Sequence, residues 1–274
     1  MRERIVLSDR LNGVASFVSP GYNICDVGCD HGFVPIYLVQ QGISPRALAM
    51  DARKGPLRQA KEHVAACGLD GYIETRLSDG LHAYQPGEAD TLICAGMGGK
   101  LMKRILEEDR EKTDSFKELV LQPQSDIPMF RAFLRRQGYR LIEENIIEED
   151  GKFYPMMKAV KREGKDSSAA DRGTVGMTGI QNETMTPRES FGAAWISRME
   201  DRYGPLLLRK KHPVLRRYLE REIGIADAVL EQLQSQGLAG SKQRVRYEEV
   251  KAQLEDCKRV MAEILAVTWD ESGG

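Results

Sequence analysis

Long apolar runs are missing from this chain of 274 residues. No stretch nears the roughly 18 consecutive apolar residues that a membrane span requires. Met1-Arg2-Glu3-Arg4 carries an acid and leads into no long apolar stretch, so an export signal is not expected. Cysteine is scarce and odd in number, with five in all. Cys25, Cys29, Cys67 and Cys94 lie in apolar or motif-rich segments, which fits a reducing cytoplasm better than a disulfide framework. Cys25 and Cys29 lack a second ligand pair at zinc spacing, so no metal site is expected. An excess of either charge is missing too: 40 Lys and Arg against 41 Asp and Glu leave a net charge of −1. Any case for a nucleic-acid partner must then come from local clustering. No internal repeat is evident. What remains, 41% hydrophobic and 30% charged residues, excludes disorder throughout. The length suits one α/β domain with an appendage.

The first part of the chain alternates strand-like and helix-like segments. Leu7, Leu11, Val14, Ala15 and Val18 recur at helical spacing, with Ser8 or Asp9 as N-cap. A short apolar run at 24–27 and a buried-strand run at 47–50 read as strands, 72–77, 91–95 and 119–121 are further strands, and helices are expected over 33–41, 56–67, 100–108 and 128–137. Two more strands, 139–147 and 152–160, flank Asp150-Gly151, a strong hairpin signal. Repeated β-α units closed by an antiparallel hairpin predict a Rossmann-like, doubly wound sheet whose last strand is antiparallel. Residues 161–190 lose all period and read as a linker. Beyond them, Leu215, Leu219, Ile223, Ala226, Leu230 and Leu233 form one stripe, and Tyr247, Val250, Leu254, Cys257, Met261 and Ile264 another. With turn residues at 237–241 between them, a coiled-coil-like helical hairpin is expected. The expected division is 1–160, a 161–190 linker and a 191–268 helical domain.

The chemistry sits at the strand ends. The first strand runs out in Asp26-Val27-Gly28-Cys29-Asp30-His31-Gly32. A dinucleotide fingerprint needs G-x-G-x-x-G to seat a pyrophosphate, but Asp30 replaces its second glycine and Phe33 its third. An acid there repels pyrophosphate and attracts a cation. S-adenosylmethionine, with a sulfonium and an ammonium, is the expected ligand. Asp26, Gly28, Asp30 and Gly32 supply the first loop. Asp51, 23 residues after Gly28, stands where a carboxylate accepts ribose hydroxyls. Asp79 and Gly80 close the third strand, where a short acid can reach the adenine amino group, and Gly96 and Met97 close the fourth beside the methyl donor. Taken singly, each Asp could be a helix N-cap and the glycines a packing turn.

The [DN]-P-P-[YF] sequence common in exocyclic-amine methyltransferases is absent; Gly96-Met97-Gly98-Gly99 stands in its place. That segment, together with Asp26-Val27-Gly28-Cys29-Asp30-His31, Leu121-Gln122-Pro123-Gln124 and Glu149-Asp150-Gly151-Lys152-Phe153-Tyr154, resembles the bacterial tRNA (adenine-N1)-methyltransferase family acting on adenine 22. The likeness extends over 7–160 and, more loosely, through Gly204-Pro205-Leu206-Leu207 and the helical tail. It implies a class I methyltransferase domain, a coiled-coil-like C-terminal domain and S-adenosylmethionine as donor. Asp51 stands where the family often has Glu, and Gln124 where it often has Asn.

With adenine N1 as acceptor, Asp30 is the expected electrostatic catalyst and His31 its partner or a contact to the base. Phe33 and Tyr154 are candidate stacking surfaces for an extruded base, and Gln122, Pro123 and Gln124 candidate substrate contacts. Arg209, Lys210, Lys211, Arg216 and Arg217, with Lys242, Arg244 and Arg246, form the local basic cluster expected to meet tRNA phosphates. A solvated helix face balanced by neighbouring Glu residues is the bland alternative. The enzyme is expected to act as a monomer. Two other readings stay open: a methyltransferase for a small metabolite with the hairpin as dimer interface, and a non-catalytic scaffold whose hairpin binds protein.

Overall fold

The computed structural model describes residues 4–162, 187–237 and 240–265. Two compact units, Met1–Arg172 and Gly173–Gly274, make up the chain. The first holds a seven-stranded sheet in the order β3-β2-β1-β4-β5-β7-β6. Its strands are β1 (Ile24–Val27), β2 (Ala47–Asp51), β3 (Ile73–Leu77), β4 (Thr91–Met97), β5 (Glu118–Pro123), β6 (Tyr139–Glu149) and β7 (Lys152–Lys161). β1 to β5 pair in parallel, and β7 runs antiparallel to both β5 and β6. This is the doubly wound, Rossmann-like sheet with an antiparallel last strand.

Every residue of β1, β2 and β5 is buried, as strands covered on both faces must be. Side chains alternate between two cores. Cys25, Leu92, Cys94, Leu119 and Leu121 join Met102, Leu106, Phe130 and Phe133 on one face. Ile24, Ile93 and Val120 join Val14, Ile36, Leu38, Ala60 and Val64 on the other. The helices supplying those faces are α1 (Asp9–Ser16), α2 (Phe33–Gln40) and α3 (Lys54–Ala66) on one side, and α4 (Gly99–Glu108) and α6 (Ile127–Arg136) on the other. A short α5 (Arg110–Thr113), not anticipated from the sequence, lies between the last two.

Two details position the site. Val27 stands opposite both Met50 and Cys94, so the chain leaves β1, β2 and β4 at one level. Because β2 and β4 flank β1, the connections diverge there and leave a crevice at the switch point. Second, Ser8 Oγ accepts the N–H of Leu11 at 3.4 Å and starts α1. α1 then lies tightly on the β6–β7 hairpin: a Cβ on Gly13 would come within 2.4 Å of Ile147 Cδ1 and 2.8 Å of Met156 Sδ.

The second unit contains α7 (Pro187–Tyr203), α8 (Pro205–Arg209), α9 (Pro213–Ser235) and α10 (Ser241–Arg259), the last continuing into a π-helical turn, Val260–Ile264. α9 and α10 run antiparallel: Gln234 Nε2 donates to Tyr247 Oη at 2.8 Å, and Asp227 pairs with Lys258 at 3.6 Å. Ala226, Val250 and Leu254 pack between them. The seam is not a two-helix coil throughout. Tyr203 Oη lies 3.0 Å from Cys257 Sγ, and Trp195 Nε1 donates to Asp256 Oδ1 at 2.6 Å, so α7 covers α10 as a third helix. α7 begins inside the segment expected as a linker, most of which (163–186) lies outside the described residues. Among the described residues no helix is long and apolar enough to cross a membrane, and no group of three His, Cys, Asp or Glu is disposed to hold a metal ion.

Candidate active site at the carboxyl ends of the parallel strands

The loop after β1 is bent by three residues in the left-handed region: Gly28 (φ +75°), Asp30 (φ +50°) and Gly32 (φ +74°). Asp tolerates that region better than most side chains, which lets a carboxylate occupy a turn of this kind. The N–H groups of Gly28 and Cys29 both donate to Met50 O, at 2.8 and 2.9 Å, and fasten the loop to the end of β2. Asp51, the last residue of β2, accepts the N–H of Arg53 at 2.8 Å and that of Asp30 at 3.3 Å. Two backbone donors thus fix its carboxylate, while each oxygen keeps a further lone pair. The Arg53 guanidinium spans Asp51 (3.5 Å) and Asp30 (3.8 Å). His31 Nε2 lies 3.6 Å from Asp30 Oδ2, and its ring begins a stack that continues to Phe33 at 5.5 Å and from Phe33 to His63 at 5.0 Å.

After β3, Ser78 is buried and donates to Gly80 O at 2.9 Å, folding Asp79 outward, where Arg104 meets its Oδ1 at 3.1 Å. β4 runs on to Met97, two residues past the expected end, through an irregularity at Gly96 (φ +77°). The loops after β4 and β5 are joined by two backbone bonds, Gln124 N–H to Met97 O and Gly99 N–H to Ser125 O, both 2.9 Å.

These segments enclose a cavity of about 620 Å³ lined by Asp26, Gly28, Asp30, Asp51, Asp79 and Gly96 among others. That volume suits a small-molecule ligand. Asp26 and Asp51 are 5% and 4% exposed. Burial, and then the charges of Asp51 and Asp30, push the Asp26 carboxyl up to about 7. Burial and the two neighbouring carboxylates thus disfavour the charged form of Asp26, and a cation beside it would favour that form.

The chain matches the methyltransferase-domain family model over residues 7–157. It is 32% identical to the tRNA (adenine(22)-N(1))-methyltransferase of Bacillus subtilis, over 93% of this chain and 97% of that one. The chain belongs to the tRNA (adenine(22)-N(1))-methyltransferase family. Solved structures agree. The crystal structure of the Bacillus subtilis m1A22 tRNA methyltransferase superposes with a TM-score of 0.73 at 30% identity, covering 94% of this chain and all (100%) of that one. A Streptococcus pneumoniae relative, solved in complex with S-adenosyl-L-methionine, does so with a TM-score of 0.73 at 29% identity, over 93% of this chain and 100% of its own.

Within this methyltransferase, the expected residues Asp26, Gly28, Asp30, His31, Phe33, Asp51, Asp79, Gly80, Gly96, Met97 and Gln124 all line the cavity. Gly32 does not. A Cβ there would stand 3.1 Å from that of Ala60, so Gly32 serves the close approach of α2 to α3. Gln122 and Pro123 lie buried in β5, outside the lining. Gln122 instead accepts from Arg10 Nη1 at 3.0 Å, which makes it a support for that side chain. Tyr154 also stays outside the lining, with the Arg10 guanidinium 5.4 Å from its ring centroid. In the helical unit the basic run crosses the turn from α8 to α9. His212 Nδ1 accepts the N–H of Val214 at 3.3 Å, and Lys211 is left-handed (φ +49°). Arg216 turns inward and donates to Leu265 O at 2.8 Å, so it braces the π-helical turn. Arg10, Arg53 and Arg104 line the cavity and were missed by sequence reasoning. For Arg10 and Arg53 the signal available was a basic residue two positions after a cap (Ser8) or a strand-end acid (Asp51); Arg104, deep in α4 and 25 residues from Asp79, carried none.

Proposed function

We propose that this enzyme transfers the methyl group of S-adenosylmethionine to N1 of adenine 22 in tRNA. The observation that carries the reading is the buried Asp26–Asp51 pair at the ends of β1 and β2, in a chain alignable almost end to end with the Bacillus subtilis enzyme. The residues present fit the donor. Asp26 and Asp30 offer negative charge to a cationic ligand. Asp51 keeps lone pairs for ribose hydroxyls, and the outer oxygen of Asp79 can accept from an adenine amino group. Gly28 keeps the floor open, since a Cβ there would crowd Met97 Cε at 3.3 Å.

The bound donor supplies an electrophilic methyl group on a sulfonium. Adenine N1 already carries an in-plane lone pair, so the chain has no proton to remove before attack. Its work is to align the base and exclude water. As the ring gains positive charge, the Asp30 carboxylate stabilises that charge, with His31 and Arg53 holding its orientation. A base-paired adenine hides N1, so the nucleotide must be turned out of its stack, and the Phe33–His31 surface can receive it. Arg209, Lys210, Lys211 and Arg217, with Lys242, Arg244 and Arg246, hold tRNA phosphates from the helical domain (191–268), while residues 1–160 perform the transfer and 161–190 connect the two. The enzyme acts as a monomer in the cytoplasm, where tRNA is found.

The test is incubation with labelled donor and unmodified tRNA, followed by nucleoside analysis. The expected product is 1-methyladenosine, lost when adenine 22 of the transcript is replaced by guanine. Methylation elsewhere, or none with donor bound, overturns the reading.

A further inference from the structure

Three guanidinium groups line the cavity, and their charges are met in different ways. Arg53 faces Asp51 and Asp30, and Arg104 faces Asp79. Arg10 has no carboxylate within ion-pair distance of its guanidinium among the described residues. Its Nη1 donates to the neutral amide oxygen of Gln122 at 3.0 Å, and its charge lies over the Tyr154 ring. Glu149 accepts the backbone N–H of Arg10 at 3.1 Å, which anchors the helix and leaves the side-chain charge unopposed.

This placement is built rather than incidental. Gln122 is fully buried, and its Nε2 donates to Pro123 O at 3.3 Å, which fixes the amide so that its oxygen faces Arg10. Gly13 lets α1 settle close to the hairpin, one turn beyond Arg10. Beside the end of β4, a Cβ on Gly96 would lie 3.7 Å from both Arg10 Nη1 and Gln124 Nε2, so two donors border the same open point.

A guanidinium held by neutral partners, in a cavity whose other arginines are paired, is suited to an anion. The acceptor base is the wrong partner, because methylation gives it a positive charge that Arg10 opposes. The anion nearest any reacting base in RNA is the phosphate of its own nucleotide. We propose that Arg10 anchors the phosphate of the target nucleotide, with Gln124 beside it and Gln122 and Tyr154 holding the guanidinium in place. Arg10 thereby fixes how deeply the base enters. This inference rests on the tRNA reading above.

Wild type, Arg10→Gln and Arg10→Lys are compared in three measurements: donor affinity by calorimetry, tRNA affinity across a salt series, and methyl transfer. Donor affinity is expected to stay within about twofold in both variants, which also reports an intact pocket. Arg10→Gln should lose about tenfold in tRNA affinity, and its plot of log K against log salt should be shallower by about 0.7–0.9, the loss of one phosphate contact. Arg10→Lys should restore the slope. A tRNA with a methylphosphonate at the target nucleotide should bind wild type about tenfold more weakly and leave Arg10→Gln unaffected. The proposal is overturned if Arg10→Gln keeps the wild-type salt slope, if it suffers the methylphosphonate penalty in full, or if it loses donor binding. A wild-type enzyme that binds donor yet makes no 1-methyladenosine removes the tRNA reading itself, before any variant is compared.

Discussion

The sheet unit and the helical unit carry their charged landmarks in opposite ways. In the sheet unit, Asp26, Asp51 and Asp79 are separated by many residues, yet parallel pairing in register brings their strand ends to one cavity. In the helical unit, five basic residues fall within nine positions, and folding disperses them. Arg209 ends α8, Lys211 sits in a left-handed turn, and Arg216 reaches the carbonyl of Leu265. Clustering in sequence is thus a poor guide to clustering in space, whereas the level at which parallel strands end is a good one. A converged set of acids can enclose a small cation; a dispersed set of bases suits an extended polyanion.

The comparison breaks most visibly at Asp26. Asp26→Asn is expected to weaken S-adenosylmethionine binding about 10- to 100-fold, the usual cost of losing a charged contact in a buried site. The same change should raise Tm at pH 8. The native carboxyl, held up at about 7, binds its proton more tightly than an unfolded Asp near about 4. Its contribution to stability is therefore largest in acid and falls as pH rises through that window. The gain in Tm should shrink towards pH 5. Unchanged donor affinity in calorimetry would separate Asp26 from the ligand.

A smaller effect is expected in the other unit. Arg209→Gln, Lys210→Gln and Arg217→Gln combined should lower tRNA affinity about tenfold, flatten its salt dependence and leave donor affinity alone. Equal tRNA binding would assign those charges to a solvated surface. The smallest effect sharpens the electrostatic half of the comparison. A cationic donor favours the ionised form of Asp26, so binding below about pH 7 should release a proton, and affinity should rise several-fold between about pH 5.5 and pH 8. Calorimetry in buffers of different ionisation enthalpy reads that proton directly; none released at about pH 6.5 would mean that the donor's charge does not reach Asp26.

Much of the first unit was legible because β1, β2 and β4 are short, mainly apolar runs that give way to Asp or Gly, and a change of that kind is visible in one dimension. The residues that were not legible answer to distances that sequence does not encode. Gly32 reads like Gly28, but the neighbour that explains it, Ala60, is one helix away. Arg10 sits on the polar face of an amphipathic helix and looks solvated until Gln122 and Tyr154 are brought beneath it. In the tail, the apolar stripes of α9 and α10 revealed an antiparallel pair. Trp195 and Tyr203 of α7, which claim Asp256 and Cys257, carry too sparse a pattern to announce a third helix.

The bond from Gly99 to Ser125 has a consequence for how the family can vary. A Cβ at Gly99 would stand 2.6 Å from the Ser125 carbonyl oxygen, and one at Gly98 2.9 Å from the Ser125 hydroxyl. The two loops therefore cannot lengthen or drift one at a time. Inherited changes in either are expected to be matched in the other, so that the pair travels through evolution as a single coupled trait, while Gly55 and Gly71, where a side chain would meet nothing within 4 Å and the backbone is not left-handed, are free of any such tie.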